Sequence, residues 1–343
     1  MATLDGSGVA LNIAEESRPI QFLFRLCRFP LMWAAIAMIV TGYPTEHIAL
    51  RVVLIGWITY WLFTYTSMFH EAVHLLLPGG KAGNLIAGQI VGTFLCVPYH
   101  CYKEAHVRHH AYLNRPNDWE LWPYSSPDCS LGFRRVFVWL DLLFGFLTAP
   151  YVYGRIFFHR DTPIKDSKIR LYVWMEYGLI LAFWGTIFGV VGYYGRWESL
   201  ILAWGIPHWL AGIMQVGRKL TEHLGMASFD PLKGTRTVVG QNWLSRLCSF
   251  LNYDIFVHGP HHRYPRMKSG KLESKMAEHV TRDEGIKFPL FKSYTGAVMS
   301  MLPHMFKQPG VGLNAGASVV NEVKVDDVSD FVEDAKTLVE DWH

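Results

Sequence analysis

Cysteine is scarce and unpatterned in this sequence. Five cysteines in 343 residues (Cys27, Cys96, Cys101, Cys129 and Cys248) form no C-x-x-C pair and no regular spacing. That argues against a disulfide framework, a zinc ribbon and a cysteine-held iron–sulfur cluster, and it fits a reducing, cytosol-facing setting. Charge is sparse as well. Only 18% of residues are charged, the net charge is +3, and no basic block is dense enough to bind nucleic acid. The opening residues are polar and acidic rather than basic and then apolar, so no secretory signal peptide is expected.

What the chain does have is apolar surface. Half of its residues are hydrophobic and 15% are Phe, Trp or Tyr, and its mean hydropathy is positive. A soluble protein of this length would divide into two domains; this composition instead suits a protein with two membrane interfaces to anchor. A bilayer core of about 30 Å needs about 20 apolar residues per helix. Four stretches approach that length: 29–43 (with Arg25 and Arg28 placed to snorkel), 52–69, 171–194 and 199–217. The third carries Glu176, and the fourth carries Pro207 and His208, which need protein or water partners at that depth. Segment 84–100 is short and glycine-containing and reads as re-entrant or interfacial. Segment 135–158, with Asp141 and Pro150, reads as interfacial or dipping into the membrane.

Lys and Arg crowd the region between the second and third spans, whereas loops 41–51 and 195–198 hold one Arg each. The positive-inside rule then puts both termini on the cytoplasmic side. The expected fold is an all-α integral membrane protein with about four transmembrane helices, re-entrant or interfacial helices, and a cytosolic cap from Arg218 onward. Three parts are expected: an N-terminal cytosolic segment (1–28), a membrane domain with its cap (29–307), and a linker with a C-terminal acidic amphipathic helix (308–343). In the last part Val325, Val328, Phe331, Val332, Ala335, Leu338, Val339 and Trp342 recur at helical spacing.

Sixteen histidines stand in the chain, and eight fall into three tight clusters: H-E-A-V-H (His70, His74), H-V-R-H-H (His106, His109, His110) and H-G-P-H-H (His258, His261, His262). A ninth, His223, lies in T-E-H-L-G beyond the fourth apolar stretch. Residues at i, i+3 and i+4 share a helix face, so His70 with His74, and His106 with His109 and His110, each present imidazoles to a common point. Neutral imidazole suits iron, copper, zinc and nickel alike, and eight or nine exceed one tetrahedral zinc but serve two metals with open positions. The topology lets all of them meet at the cytosolic mouth of the bundle. An isolated histidine is ordinarily a satisfied core or surface residue, and His47, His100, His159, His208, His279, His304 and His343 are read that way. H-E-A-V-H also matches the H-E-x-x-H of zinc proteases. An intramembrane protease, however, leaves both H-x-x-H-H clusters unexplained, so Glu71 is read as a partner of a histidine N–H. Leu77-Pro78-Gly79-Gly80 is similar to a cytochrome-b5-type haem loop, but Leu stands where the ligand histidine belongs, and it reads as a turn.

The H-x-x-x-H, H-x-x-H-H, H-x-x-H-H series, with 31 residues between His74 and His106, resembles the membrane fatty-acid desaturases. Ala111 to Asp118 (A-Y-L-N-R-P-N-D) resembles the segment after their second box. Glu222-His223 is similar to the extra histidine of the sphingolipid-desaturase branch. Sterol-type hydroxylases share the boxes with a much shorter gap between the first two. Asn252-Tyr253, which the family commonly sets directly before the third box, here lies four residues further back. The resemblance implies two ferrous ions held by His70, His74, His106, His109, His110, His223, His258, His261 and His262. It also implies dioxygen-dependent attack on a lipid acyl chain, giving an alkene or, with oxygen rebound, an alcohol. No flavin, haem or iron–sulfur signature is present, so electrons are expected from a separate donor such as a ferredoxin or cytochrome-b5-like protein. Hydroxylase or ketolase action on a lipid, alkane or carotenoid, and a zinc intramembrane protease, are the alternatives. Trp57, Trp61, Trp174, Trp184 and Trp204 read first as anchors or packing and second as the lining of an acyl tunnel.

Overall fold

Apolar length sets the architecture, and polar residues mark where each apolar run must stop or turn. A computed structural model describes residues 2–4, 9–12, 19–42, 47–283 and 285–316; the segment expected to form a C-terminal helix lies outside them. Helix α1 (Pro19–Thr41) precedes α2 (Ile48–Val73), whose 26 residues rise about 39 Å. Helix α2 is apolar all round, as a membrane or core helix is. Its first half faces outward, with Ile48, Val52 and Val53 exposed, while its buried residues begin at Leu54 and run to its end.

A turn at Leu77–Gly80 follows, as expected. The Asn84 side chain fastens it by accepting from Leu77 N at 3.0 Å and donating to Leu77 O and Gly80 O at 2.9 and 2.7 Å. Helices α3 (Gly80–Leu95) and α4 (Tyr99–Ala111) meet at 101°. Cys96, left-handed at φ 57°, ends the first helix, and Pro98, which has no N–H, caps the second. The re-entrant reading of this region fits that bend.

Helices α5 (Leu131–Leu143) and α6 (Gly145–Phe158) have 13 and 14 residues, too few to cross a bilayer. Phe133, Val136, Leu140, Phe144, Leu147 and Tyr151 are exposed at three- and four-residue spacing, the face of an interfacial helix. Asp141, buried on the other face, accepts from Thr148 Oγ1 at 2.6 Å, Lys219 Nζ at 2.7 Å and Tyr124 OH at 3.0 Å. The elbow between the two helices presses close on the last span. A Cβ on Gly145 would lie 2.7 Å from Gly212 O, so only glycine fits there.

Helix α7 (Ser167–Tyr193) buries Ile169, Val173, Glu176 and Ile180, a stripe of spacing 4, 3, 4, and leaves the rest half-buried or exposed. Glu176 is tolerated because that stripe faces α4: it accepts from His100 N at 3.0 Å and lies 2.7 Å from His100 Nδ1. The last long apolar run is a one-turn α8 (Trp197–Leu200), a π-helical turn (Ile201–Gly205) and α9 (Ile206–His223), together 27 residues. The wide turn precedes Pro207, whose ring clashes with the preceding turn of an ordinary α-helix.

Three helices, α2, α7 and the α8–α9 run, are long and apolar enough to cross a membrane, and the bent α3–α4 pair is a fourth if counted as one span. The first expected span falls on α1, whose apolar part, Phe29–Thr41, is shorter than a full crossing. The protein is thus an all-α membrane protein with three to four candidate spans.

A polar cap covers one end of the bundle. It holds α10 (Pro231–Gly234), α11 (Trp243–Leu251), α12 (His258–Arg263), α13 (Leu272–Arg282) and α14 (Tyr294–Lys307). The small antiparallel pair β1 (Ala2–Leu4) and β2 (Ala10–Asn12) places Val9 and Leu11 in the cap's own core with Leu232, Met276 and Leu290. A two-residue parallel bridge joins β3 (Thr237–Val238) to β4 (Leu290–Phe291), Thr237 opposite Leu290.

Candidate metal centre

Four helix segments converge where the cap meets the bundle. His70 and His74 lie one turn apart at the end of α2; His106, His109 and His110 occupy the last turns of α4; Glu222 and His223 close α9. The six-residue α12 contributes His258, His261 and His262 and is pinned by Gly259, whose N–H donates to Thr237 Oγ1 at 2.9 Å. A Cβ at Gly259 would approach that hydroxyl to 2.9 Å, so glycine lets the short helix sit this close.

All nine histidines singled out in the sequence are buried and come together, in two adjoining groups. His70, His74, His106, His110 and His261 offer nitrogens within 4.8 Å of one another; so do His109, His223 and His262, and so do Glu222, His223 and His258. The groups meet where His110 stacks on His262, ring centroids 4.2 Å apart and 19° between planes. Nε2 atoms approach to 3.1 Å for His106–His110, 3.3 Å for His110–His261, 3.1 Å for His258–His262 and 2.9 Å for His223–His258. Two imidazoles bound to one metal at about 2.1 Å place their nitrogens about 3.0 Å apart at a right angle and about 3.4 Å apart at a tetrahedral angle. Most of these spacings match the right angle, and five imidazoles around one point exceed a zinc tetrahedron.

Both ring nitrogens of His70 and of His74 are buried without a hydrogen-bond partner, as are Nδ1 of His223 and of His262. A buried polar atom left bare costs free energy, so the bare nitrogens of His70 and His74, together with the converging Nε2 atoms of the other histidines, fit metal ligands. Burial, followed by the charge of neighbouring histidines, pushes His258, His261 and His262 well below the ordinary imidazole range, which keeps them in the neutral form a metal requires.

The loop after α4 supplies the carboxylates that orient the rings. Left-handed Asn114 (φ 60°) turns the chain back; its side chain donates to Ser228 O and Gly234 O, both at 2.8 Å. Asp118 then accepts from His109 Nδ1 at 2.8 Å, and Glu120 accepts from His106 Nδ1 at 2.9 Å and from Tyr153 OH at 2.9 Å. Fixing one ring nitrogen presents the other to a metal. Burial acts to raise both acids. It prevails at Asp118, against the pull of His109, whereas the adjoining His106 outweighs it at Glu120 and holds that carboxyl at about 2. Sequence reading missed both roles. Glu71, expected to serve this way, stands 3.5 Å from His70 Nδ1, beyond ordinary hydrogen-bond range.

Asn252 holds no position in the cluster. Fully buried, it accepts from Ser67 Oγ at 2.8 Å, and Arg218 donates to the same hydroxyl at 2.6 Å, so it ties α11 to α2 and α9. The isolated histidines read as satisfied stay outside the cluster: His100 pairs with Glu176, and His279 lies 2.8 Å from Tyr264 OH. His343 lies outside the described residues.

A cavity of about 140 Å³ opens beside His70, His106, His109, His223 and His258 and runs past Tyr102 to Val97, His208, Ala211 and Gln215. None of the five tryptophans weighed as tunnel lining borders it; Trp184 and Trp204 line a separate cavity.

Residues 46–285 match the family model for fatty acid desaturase. The chain is 23% identical over 239 residues to the chloroplastic omega-6 fatty acid desaturase of Brassica napus, covering 62% of this chain and 52% of that protein. It is 22% identical over 226 residues to the sn-1 oleoyl-lipid 12-desaturase of Synechocystis sp., covering 59% and 62%. The chain thus spans about half to three-fifths of the length of these curated relatives.

Proposed function

As the chain belongs to the fatty acid desaturase family, we propose that it is a di-iron, dioxygen-dependent oxidoreductase that introduces a C=C bond into a lipid acyl chain. The observation that carries this reading is the pair of adjoining histidine-rich groups, the second with Glu222 at its edge, buried beside a cavity. His70, His74, His106, His110 and His261 would hold one iron, and His109, His223, His258 and His262 the other. Bound iron would supply the one-electron and dioxygen chemistry needed to remove hydrogen from an unactivated methylene.

The chain's own residues do the rest. Asp118 and Glu120 hold the Nδ1 protons of His109 and His106, which fixes tautomer and ring angle. Tyr153 donates to Glu120 and holds that carboxylate in place against His106. Val97, Ala211 and Gly212 give the cavity an apolar wall against which a hydrocarbon chain can lie free of water. Electrons come from a separate donor of ferredoxin or cytochrome-b5 type. The catalytic unit is residues 29–307, with the histidine end and both termini cytoplasmic, in keeping with the crowding of Lys and Arg between the second and third spans.

The test is lipid mass spectrometry of a host expressing wild type beside His109→Ala, grown in air. The expected result is a lipid two hydrogens lighter that the variant does not make. A lipid heavier by one oxygen would make the enzyme a hydroxylase. No difference, in a host supplied with a competent donor and a range of acyl lipids, would overturn the reading.

A further inference from the structure

A second cavity, of about 210 Å³, lies between α1, α7 and the α8–α9 run, at the end of the bundle away from the histidines. The long run from Trp197 to His223 rises about 40 Å, so the loop before it and the histidine cluster after it sit at opposite ends. The slot's walls are apolar and aromatic: Trp33, Ile36, Phe94, Phe183, Trp184 and Trp204. Its polar lining is confined to Ser199 and Arg196, on the loop side. Around that loop Tyr193, Tyr194 and Trp197 are exposed by 84%, 68% and 49%, the belt that marks a membrane–water interface.

Charge distinguishes the two arginines of this end. Arg51 lies 3.9 Å from Glu198. Arg196 is exposed and has no ion-pair partner among the described residues. An arginine without an ion-pair partner among the described residues, at headgroup level above an apolar slot, has the charge and shape of a phospholipid site, with the cation facing phosphate and the slot facing a hydrocarbon chain.

We propose that this slot binds one acyl chain of an anionic glycerophospholipid from the leaflet opposite the histidine cluster, with the headgroup at Arg196. The site is separate from the cavity beside the histidines, and its occupant is a resident lipid rather than a reactant. Trp204, whose indole nitrogen is buried without a partner, stands between the two cavities, its ring 5.8 Å from that of His208.

Native mass spectrometry of the full chain, purified and exposed to phosphatidylglycerol or phosphatidylcholine with the same acyl chains, tests this directly. The wild type is expected to retain phosphatidylglycerol over phosphatidylcholine. Arg196→Gln, at an exposed position, should lower phosphatidylglycerol retention about five-fold, the share of one basic residue near a charged lipid surface, and lower that of phosphatidylcholine, whose phosphate is offset by its own ammonium, by clearly less. Val40→Trp, which narrows the slot from its exposed rim, should lower retention of both lipids. Equal retention of the two lipids by the wild type would overturn the proposal, as would undiminished phosphatidylglycerol retention by Arg196→Gln. So would a Val40→Trp variant that keeps its lipid but shortens the chains it modifies, because the slot would then belong to the substrate cavity.

Discussion

The two ends of helix α2 have the same secondary structure and opposite surroundings. From Ile48 to Val53 it shows large apolar side chains to the outside; from Trp61 to Val73 it is packed on nearly every face and ends in His70, Glu71 and His74. The bundle follows the same division. At one end an apolar slot is topped by Arg196, and at the other two groups of imidazoles are ringed by carboxylates. Polar chemistry can be buried at the histidine end because cap and bundle together exclude lipid and water there. The difference teaches that substitutions should matter by which end they touch, not by how far along a helix they lie.

The largest effect is expected from removing an imidazole. His261→Ala leaves the first group one ligand short and His262→Ala does so for the second; each should lose most of one iron, by elemental analysis, and all product. Next come the orienting carboxylates. Asp118→Asn and Glu120→Gln keep shape but weaken the grip on His109 and His106, and iron affinity should fall about 10- to 100-fold in competition with a chelator.

A smaller effect concerns pH. His258, His261 and His262 are held below the usual imidazole range, so they stay neutral below about pH 6.5, where free histidine becomes protonated. Sign follows from that direction: a depressed value means that metal has no proton to displace until the pH falls beneath it. Iron retention measured from pH 8 downward should therefore hold through about pH 6.5 in the group that contains His261, whereas the group that contains His109, which Asp118 raises against the effect of burial, should lose its iron first. At the far end, Val53→Leu on the exposed face of α2 should leave iron content and product unchanged, and a loss there would break the division between the two ends.

Much of the centre was legible in the sequence because helical spacing fixes which histidines share a face. The pairs His70–His74 and His106–His110 needed only that rule, and the apolar runs placed them at one end. Asp118 and Glu120 were illegible because no periodicity links them to their partners: a left-handed residue at Asn114 folds the loop back, and such a turn leaves a weak trace in sequence. Glu71 adjoins His70 in sequence and stands 3.5 Å from its Nδ1, farther than Asp118 and Glu120 stand from their rings. The helices α5 and α6 were ambiguous because interfacial and spanning helices are both apolar; length and the burial of Asp141 separate them only in three dimensions. The role of Glu176 depended in the same way on which face of α7 met His100.

Two metal positions built from histidine lie at the centre of the proposed chemistry, and metal content reports on them without reference to substrate. Protein purified from iron-replete cells is expected to carry two irons per chain, with His261→Ala reducing the count by one. A single tightly held zinc, retained in His261→Ala and in His262→Ala, would contradict that arrangement.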